Sequence, residues 1–133
     1  MLKICPTSMH SPPIGIYSAT VDEMYEPYVF PQENSSHHAC RRASVTNLVG
    51  AGLKFEHAFD DEFFSFNAQH FTAMDLTNTA HNYELKARPE TIVALDFAMS
   101  GIGSNSCGPG LAPELRFDLK EFSCAVKIIP GNK

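Results

Sequence analysis

Apolar residues recur at every second position in several short stretches of this chain, and a helical period is never sustained. The clearest alternation lies in residues 62–71, where Phe64, Phe66, Ala68 and His70 stand opposite Phe63, Ser65, Asn67 and Gln69. A period of two is the signature of a strand with one face turned to a core. Residues 41–47 alternate polar with small or apolar side chains, and residues 51–57 place Leu53 and Phe55 on one face. Residues 91–99 open with β-branched Thr91, Ile92 and Val93 and read as a buried strand. Residues 14–20, 25–30, 83–85 and 115–117 are shorter extended stretches, and Phe122, Cys124, Val126 and Ile128 alternate toward the end of the chain.

One short helix is predicted near residues 73–81. Thr72 is a suitable N-cap, and Asp75 three residues on can return the capping hydrogen bond. Residues 87–90 hold a Pro-bearing turn, and the Gly-, Ser- and Asn-rich residues 100–110 form a loop. Many short strands separated by turns predict an all-β fold, an antiparallel β-sandwich, over residues 14–131. Residues 1–13 are rich in Pro, Ser and Met, lack a period, and are expected to be a poorly ordered lead-in.

Composition narrows the function. The chain has 133 residues, 44% of them hydrophobic and 19% charged, which suits one ordinary domain or part of a larger one. A net charge of −5 without a basic stripe argues against nucleic acid and anionic membrane as partners. No apolar run reaches the length of a membrane span, and the first residues lack a signal-peptide core, so a cytoplasmic location is expected. The four cysteines, Cys5, Cys40, Cys107 and Cys124, are widely and irregularly spaced. That pattern does not fit a zinc ribbon, and it leaves either reduced thiols or two disulfides.

Other candidates for chemistry are thin. His37 and His38 lack a third ligand nearby and read as solvated, so no metal site is expected. The glycines of residues 101–110 do not follow a phosphate-cradle pattern and suit a turn. Glycoside hydrolysis needs two carboxylates roughly 5–10 Å apart, and Glu33, Asp96 and Glu114 cannot be paired from sequence. Glu33 and Asn34 suit loop-fixing bonds from side chain to backbone. Asp96, in an apolar strand, needs a partner if buried, and Arg41 or Arg42 could serve.

Several strings nonetheless resemble one family in the same order. Residues 25–34, Tyr-Glu-Pro-Tyr-Val-Phe-Pro-Gln-Glu-Asn, are similar to the P-Y-V-x-P-Q-E-N segment of glycoside hydrolase family 2 β-galactosidases. Residues 64–72 resemble F-S-F-x-A-x-x-Y-T, residues 81–85 the family's A-x-H-x-x-E-L, and residues 95–103 its L-D-x-x-Q-x-G-x-G. The matches run from about Ile14 to Pro130. The resemblance implies the C-terminal part of a galactose-mutarotase-like supersandwich, in an enzyme that releases terminal β-D-galactose. It also implies that the catalytic glutamates and the magnesium and sodium sites lie in a preceding barrel, so no catalytic residue is assigned here. Partners would be that barrel or a large subunit, the β-galactoside, and further copies in a homo-oligomer.

One functional position carries over. The loop after Gly103 reaches the sugar site in the resembled enzymes, and some members place a stacking tryptophan where this chain has Cys107. A thiol is polarizable but offers far less area than an indole. Cys107 either lines the site or packs as a small hydrophobe, and Asn105 and Ser106 either bond sugar hydroxyls or close the turn. Two other functions stay open: a stand-alone carbohydrate-binding module, which needs an exposed aromatic among Tyr17, Tyr25, Tyr28 and Tyr83, and an assembly subunit.

Overall fold

The structure, a computed structural model, describes the backbone of residues 2–6 and residues 15–59, 62–98 and 110–131. Its strands are β1 (Leu2–Pro6), β2 (Tyr17–Ala19), β3 (His37–Thr46), β4 (Gly52–His57), β5 (Phe64–Gln69), β6 (Ile92–Asp96) and β7 (Val126–Gly131). Two short helices, α1 (Val21–Met24) and α2 (Ala73–Asn78), and two 3-10 turns, Asn82–Glu84 and Pro113–Leu115, complete the described elements. All strand pairings are antiparallel. The fold is therefore all-β and sandwich-like, with few and short helices.

β3 organises the sheet, whose main path runs β2-β1-β3-β4-β7 while β5 pairs β3 and carries β6. The later half of β3, Arg42 to Thr46, pairs with β4, and its first half pairs His37 with Phe66 and Cys40 with Phe64 of β5. The register slips between His37 and Cys40, and Ala39 sits there at φ 54. A bulge of this kind bends a strand and lets it serve two layers. The β4–β7 branch and the β5–β6 branch thus face one another over a shared strand.

The core lies between them. Cys40, Ala43, Phe55, Phe64, Phe66 and Ala68 are buried in one cluster, with Val45, Val93, Leu95, Phe97 and Val126 packed around it. The Phe55 and Phe66 rings meet across the layers at 6.3 Å. The alternation of Phe64, Phe66 and Ala68 is as the sequence predicts. The opposite face of β5 is covered as well, and Asn67 and Gln69 are buried. On the β4–β7 branch the core face runs on uncovered: Leu53 is 44% and Ile128 57% exposed, although Phe55, on the same face, is only 6% exposed.

The β3–β4 hairpin shows how local chemistry sets register. The Asn47 side chain accepts from the Val49 and Ala51 N–H groups at 3.1 and 3.0 Å. Gly50 takes φ 85, which only glycine adopts at low cost. Gly52, the first residue of β4, lies so close to β3 that an added Cβ would fall 1.9 Å from the Val45 carbonyl oxygen.

Some expectations need correction. Within the expected lead-in, Leu2–Pro6 forms a strand hydrogen-bonded to β2 and β3, because backbone pairing needs a free strand edge rather than a side-chain period, while residue 1 and residues 7–13 lie outside the described residues. Residues 25–30 are not a strand: Pro27 and Pro31 lack N–H donors, and the Glu26 N–H is taken by Asn34 Oδ1 at 3.0 Å. Residues 83–85 begin in a 3-10 turn, as do residues 115–117, and the last strand starts only at Val126. The predicted helix forms over Ala73–Asn78, with Thr72 and Asp75 exchanging capping bonds as expected. A second helix, α1, escaped prediction; Thr20 and Glu23 cap it in the same way.

Candidate functional site

Asn105, Ser106 and Cys107, the residues assigned to the rim of a sugar site, lie outside the described residues. Their stretch, residues 99–109, follows directly on Ala98, where the described chain pauses before Gly110. Ala98 itself lines a pocket of about 260 Å³, together with His38, Ala39, Phe63, Phe64, Ser65, Asp96 and Phe97.

This pocket sits where β5 begins and β6 ends, against the bulge of β3. Ser65 and Asp96 are cross-strand partners, which puts both side chains on one face of the sheet. The bulge at Ala39 takes His38 out of the ladder and brings its Nδ1 to 2.9 Å from Ser65 Oγ. Bulges commonly re-aim a side chain beside a functional site. Phe97 is held from the core side, with ring centroids 6.2 Å from Phe64 and 5.5 Å from His57. His57 is itself fixed, accepting the Phe59 N–H at Nδ1 and facing Glu62 through Nε2 at 3.0 Å. Arg41 lies over Phe63 at 5.4 Å from its centroid. The result is an aromatic hollow with one carboxylate and an imidazole–hydroxyl pair at its edge. Asp96 is the only carboxylate among the described lining residues, so these residues do not assemble the two-carboxylate chemistry of glycoside hydrolysis.

A second cluster joins three of the strings that resemble the family. Tyr25 donates its hydroxyl to Asn82 Oδ1 at 2.6 Å, and the Asn82 N–H donates to the Val29 carbonyl at 3.1 Å. Asn67 donates through Nδ2 to the Asn34 carbonyl, and Tyr25 and Phe71 meet at 5.0 Å. Residues 25–34, β5 and residues 81–85 are thereby locked into one unit. Asn34 fixes its loop through backbone bonds as expected, accepting from Glu26 N–H and donating to the Gln32 carbonyl at 3.1 Å. These bonds are spent on the scaffold, and they explain why the outer face of β5 is buried.

The other singled-out residues are dispersed. His37 is half-buried with Nε2 3.3 Å from Met24 Sδ, and its basicity is lowered first by burial and then by His38. Asp96 lies exposed at a strand end, so it needs no buried partner; Arg42 pairs instead with Glu56 at 3.5 Å. Arg88 grips Asp75 with two bonds of 2.6 and 2.9 Å, holding that carboxyl far below the usual range. The Cys40 thiol is buried and donates to the His37 carbonyl at 3.1 Å, whereas Cys124 is exposed. No group of three or more His, Cys, Asp or Glu side chains is gathered among the described residues. None of the described helices is long and apolar enough to cross a membrane. Sequence reading missed the pairing of His38, Ser65 and Asp96, because only a bulge and a cross-strand register bring them together.

Comparison with known proteins gives these features a context. Residues 7–128 match the family described as beta galactosidase small chain. The chain is 37% identical over 120 residues to a β-galactosidase of Actinobacillus pleuropneumoniae, a match covering 90% of this chain and 11% of that protein. It is 35% identical over 115 residues to a β-galactosidase of Staphylococcus xylosus, covering 85% of this chain and 11% of the relative. A β-galactosidase of Pseudoalteromonas haloplanktis matches at 28% over 118 residues, 88% of this chain and 10% of the relative. The chain thus spans about 11% of the length of the first two relatives.

Proposed function

The chain belongs to the β-galactosidase small-chain family, and from that premise we propose that it is the C-terminal segment of a glycoside hydrolase family 2 β-galactosidase. In this reading the whole enzyme hydrolyses terminal non-reducing β-D-galactose residues with retention, through one glutamate as nucleophile and one as acid/base, both outside this chain. The segment completes a supersandwich and contributes a rim loop bearing Asn105, Ser106 and Cys107. The observation that carries the reading is one of coverage: the family match takes in residues 7–128, yet the chain spans only about 11% of its relatives.

The structure gives physical support. A core face that ends in exposed Leu53 and Ile128 supports a layer that the remainder of a larger sandwich would cover. The partner is accordingly the remainder of the enzyme, a barrel-bearing region or a large subunit, within a homo-oligomer. The described residues do not fit the magnesium and sodium that the resemblance implies, since they gather no cluster of ligating side chains. Those ions, in this reading, belong to the remainder. In this reading the enzyme is cytoplasmic.

The test is complementation. The chain and a large fragment of a relative, each purified, are assayed apart and together on a chromogenic β-galactoside. Hydrolysis only in the mixture is expected, and hydrolysis by the chain alone would refute the division of labour.

A second reading, a carbohydrate-binding module, is favoured by Tyr83, which is 81% exposed and stacked on His81 at 5.3 Å and 17°. That arrangement leaves one ring face free for a sugar.

A further inference from the structure

We propose that the hollow formed by His38, Ser65, Asp96, Phe63 and Phe97 is a binding site for a single neutral pyranose ring. The hollow stands on geometry alone; the class of ligand rests on reading the chain as part of a β-galactosidase.

Three independent observations converge on this place. The first is backbone strain: Ala39 holds φ 54 inside a strand, a conformation that costs a non-glycine residue free energy and marks functional sites when the surroundings enforce it. The strain has a visible product, since the bulge delivers His38 to Ser65 at 2.9 Å. The second is polar placement. Asp96 is the cross-strand partner of Ser65, so an acceptor carboxylate and an imidazole–hydroxyl pair stand on one face. A sugar hydroxyl both donates and accepts, and this set offers partners for both roles. The third is shape and lining. Phe63, Phe64 and Phe97 supply apolar walls. Ligand sites are generally apolar hollows carrying a few well-placed polar groups.

Size then selects the ligand. A volume of about 260 Å³ falls just under the range of roughly 300–1,000 Å³ that takes drug-sized ligands. It suits one ring and excludes a buried disaccharide. Among the described lining residues Asp96 carries the one formal charge, and Arg41, which is not among them, lies over Phe63. An anionic sugar would meet that carboxylate unfavourably, which is why the ligand is neutral. The described lining ends at Ala98, the residue that leads into residues 99–109.

The experiment is an NMR titration of the 15N-labelled chain with D-galactose, D-glucose and sorbitol. Sorbitol has the hydroxyls of a sugar without its ring. Saturable shifts are expected with one or both sugars, in the millimolar range typical of small polar ligands. They should centre on His38, Ser65, Asp96 and Phe97, with sorbitol inert. Asp96→Asn and Ser65→Ala should each weaken binding about fivefold to tenfold, as loss of one hydrogen-bond partner does. Asp96 is exposed, so its isosteric change keeps the fold, and unchanged resonances outside the hollow verify this. Absence of shifts, shifts centred elsewhere such as on Tyr83, equal response to sorbitol, or variants that bind as well as the parent would each overturn the proposal. Complementation reads the proposed function separately: restored hydrolysis with no sugar response refutes the hollow alone.

Discussion

Phe66→Ala removes the ring on which the two layers close. Phe66 is fully buried, pairs with His37 on β3 and Leu95 on β6, and meets Phe55 across the core at 6.3 Å. Its side chain gains about 3 kcal/mol from leaving water, the upper end for a large apolar group. A hole of roughly 100 Å³ left by the ring adds about 2.4 kcal/mol at ~24 cal/mol per Å³. The sum, about 5 kcal/mol, reaches the top of the usual range of 3–5 kcal/mol for such a change. The uncovered end of the β4–β7 branch, at Leu53 and Ile128, leaves room for partial collapse and pulls the expectation to about 3–4 kcal/mol. Against a typical domain stability of about 5–15 kcal/mol, that is a large share. Urea unfolding followed by far-UV circular dichroism measures it, since the chain has no tryptophan to report fluorescence. Tyr83→Ala, at an exposed position, is the control and should stay within about 0.5 kcal/mol. A cost below about 1 kcal/mol for Phe66→Ala would refute the two-layer core described here.

Further outcomes follow from other features. Gly52→Ala drives a Cβ to within 1.9 Å of the Val45 carbonyl oxygen; the β3–β4 hairpin must open, and the midpoint of unfolding should fall by more than that of Thr72→Ala. Thr72→Ala loses the cap of α2 and should cost about 1 kcal/mol in the same unfolding assay. Because burial lowers the basicity of folded His37 below its ordinary 6.5, the unfolded chain binds the proton more tightly. Stability should therefore be full above pH 6.5 and decline as pH falls below it. Urea midpoints measured across that range should lose part of their slope in His37→Gln, and an unchanged slope would contradict the assignment. Leu53→Lys with Ile128→Lys charges the uncovered apolar face and should shift the isolated chain from self-associated species toward monomer in light scattering; a wild-type chain already monomeric would count against that face as sticky.

Much of the fold could be read from the chain because its signals are local. The alternation of Phe64, Phe66 and Ala68 and the Thr72–Asp75 capping pair depend on near neighbours, and both appear as predicted. The family resemblance was legible for a similar reason, since strings such as residues 25–34 and 64–72 are contiguous. What escaped was set by distant partners. Residues 25–30 have strand-like composition, yet Asn34 and Asn82 claim their backbone groups. Asn67 and Gln69 look solvent-facing by period but are buried, and Asn67 donates to the carbonyl of Asn34, a residue distant in the chain. The hollow escaped for a third reason. His38 reads as a solvated histidine and Ser65 only as a position opposite Phe64 and Phe66, and the bulge at Ala39 and the pairing of β5 with β6 unite them.

The sharing of β3 has a dynamic consequence. β3 is hydrogen-bonded to β1, β4 and β5, so neither branch can open at its root without breaking bonds of this one strand. Edge strands β2 and β7 can fray and re-form while β3 stays paired. Amide hydrogen exchange should therefore rank the chain by distance from β3 rather than by distance from its ends. The slowest amides belong to Arg42 to Val45, those of β2 exchange early, and release of the Arg42–Val45 set marks global unfolding.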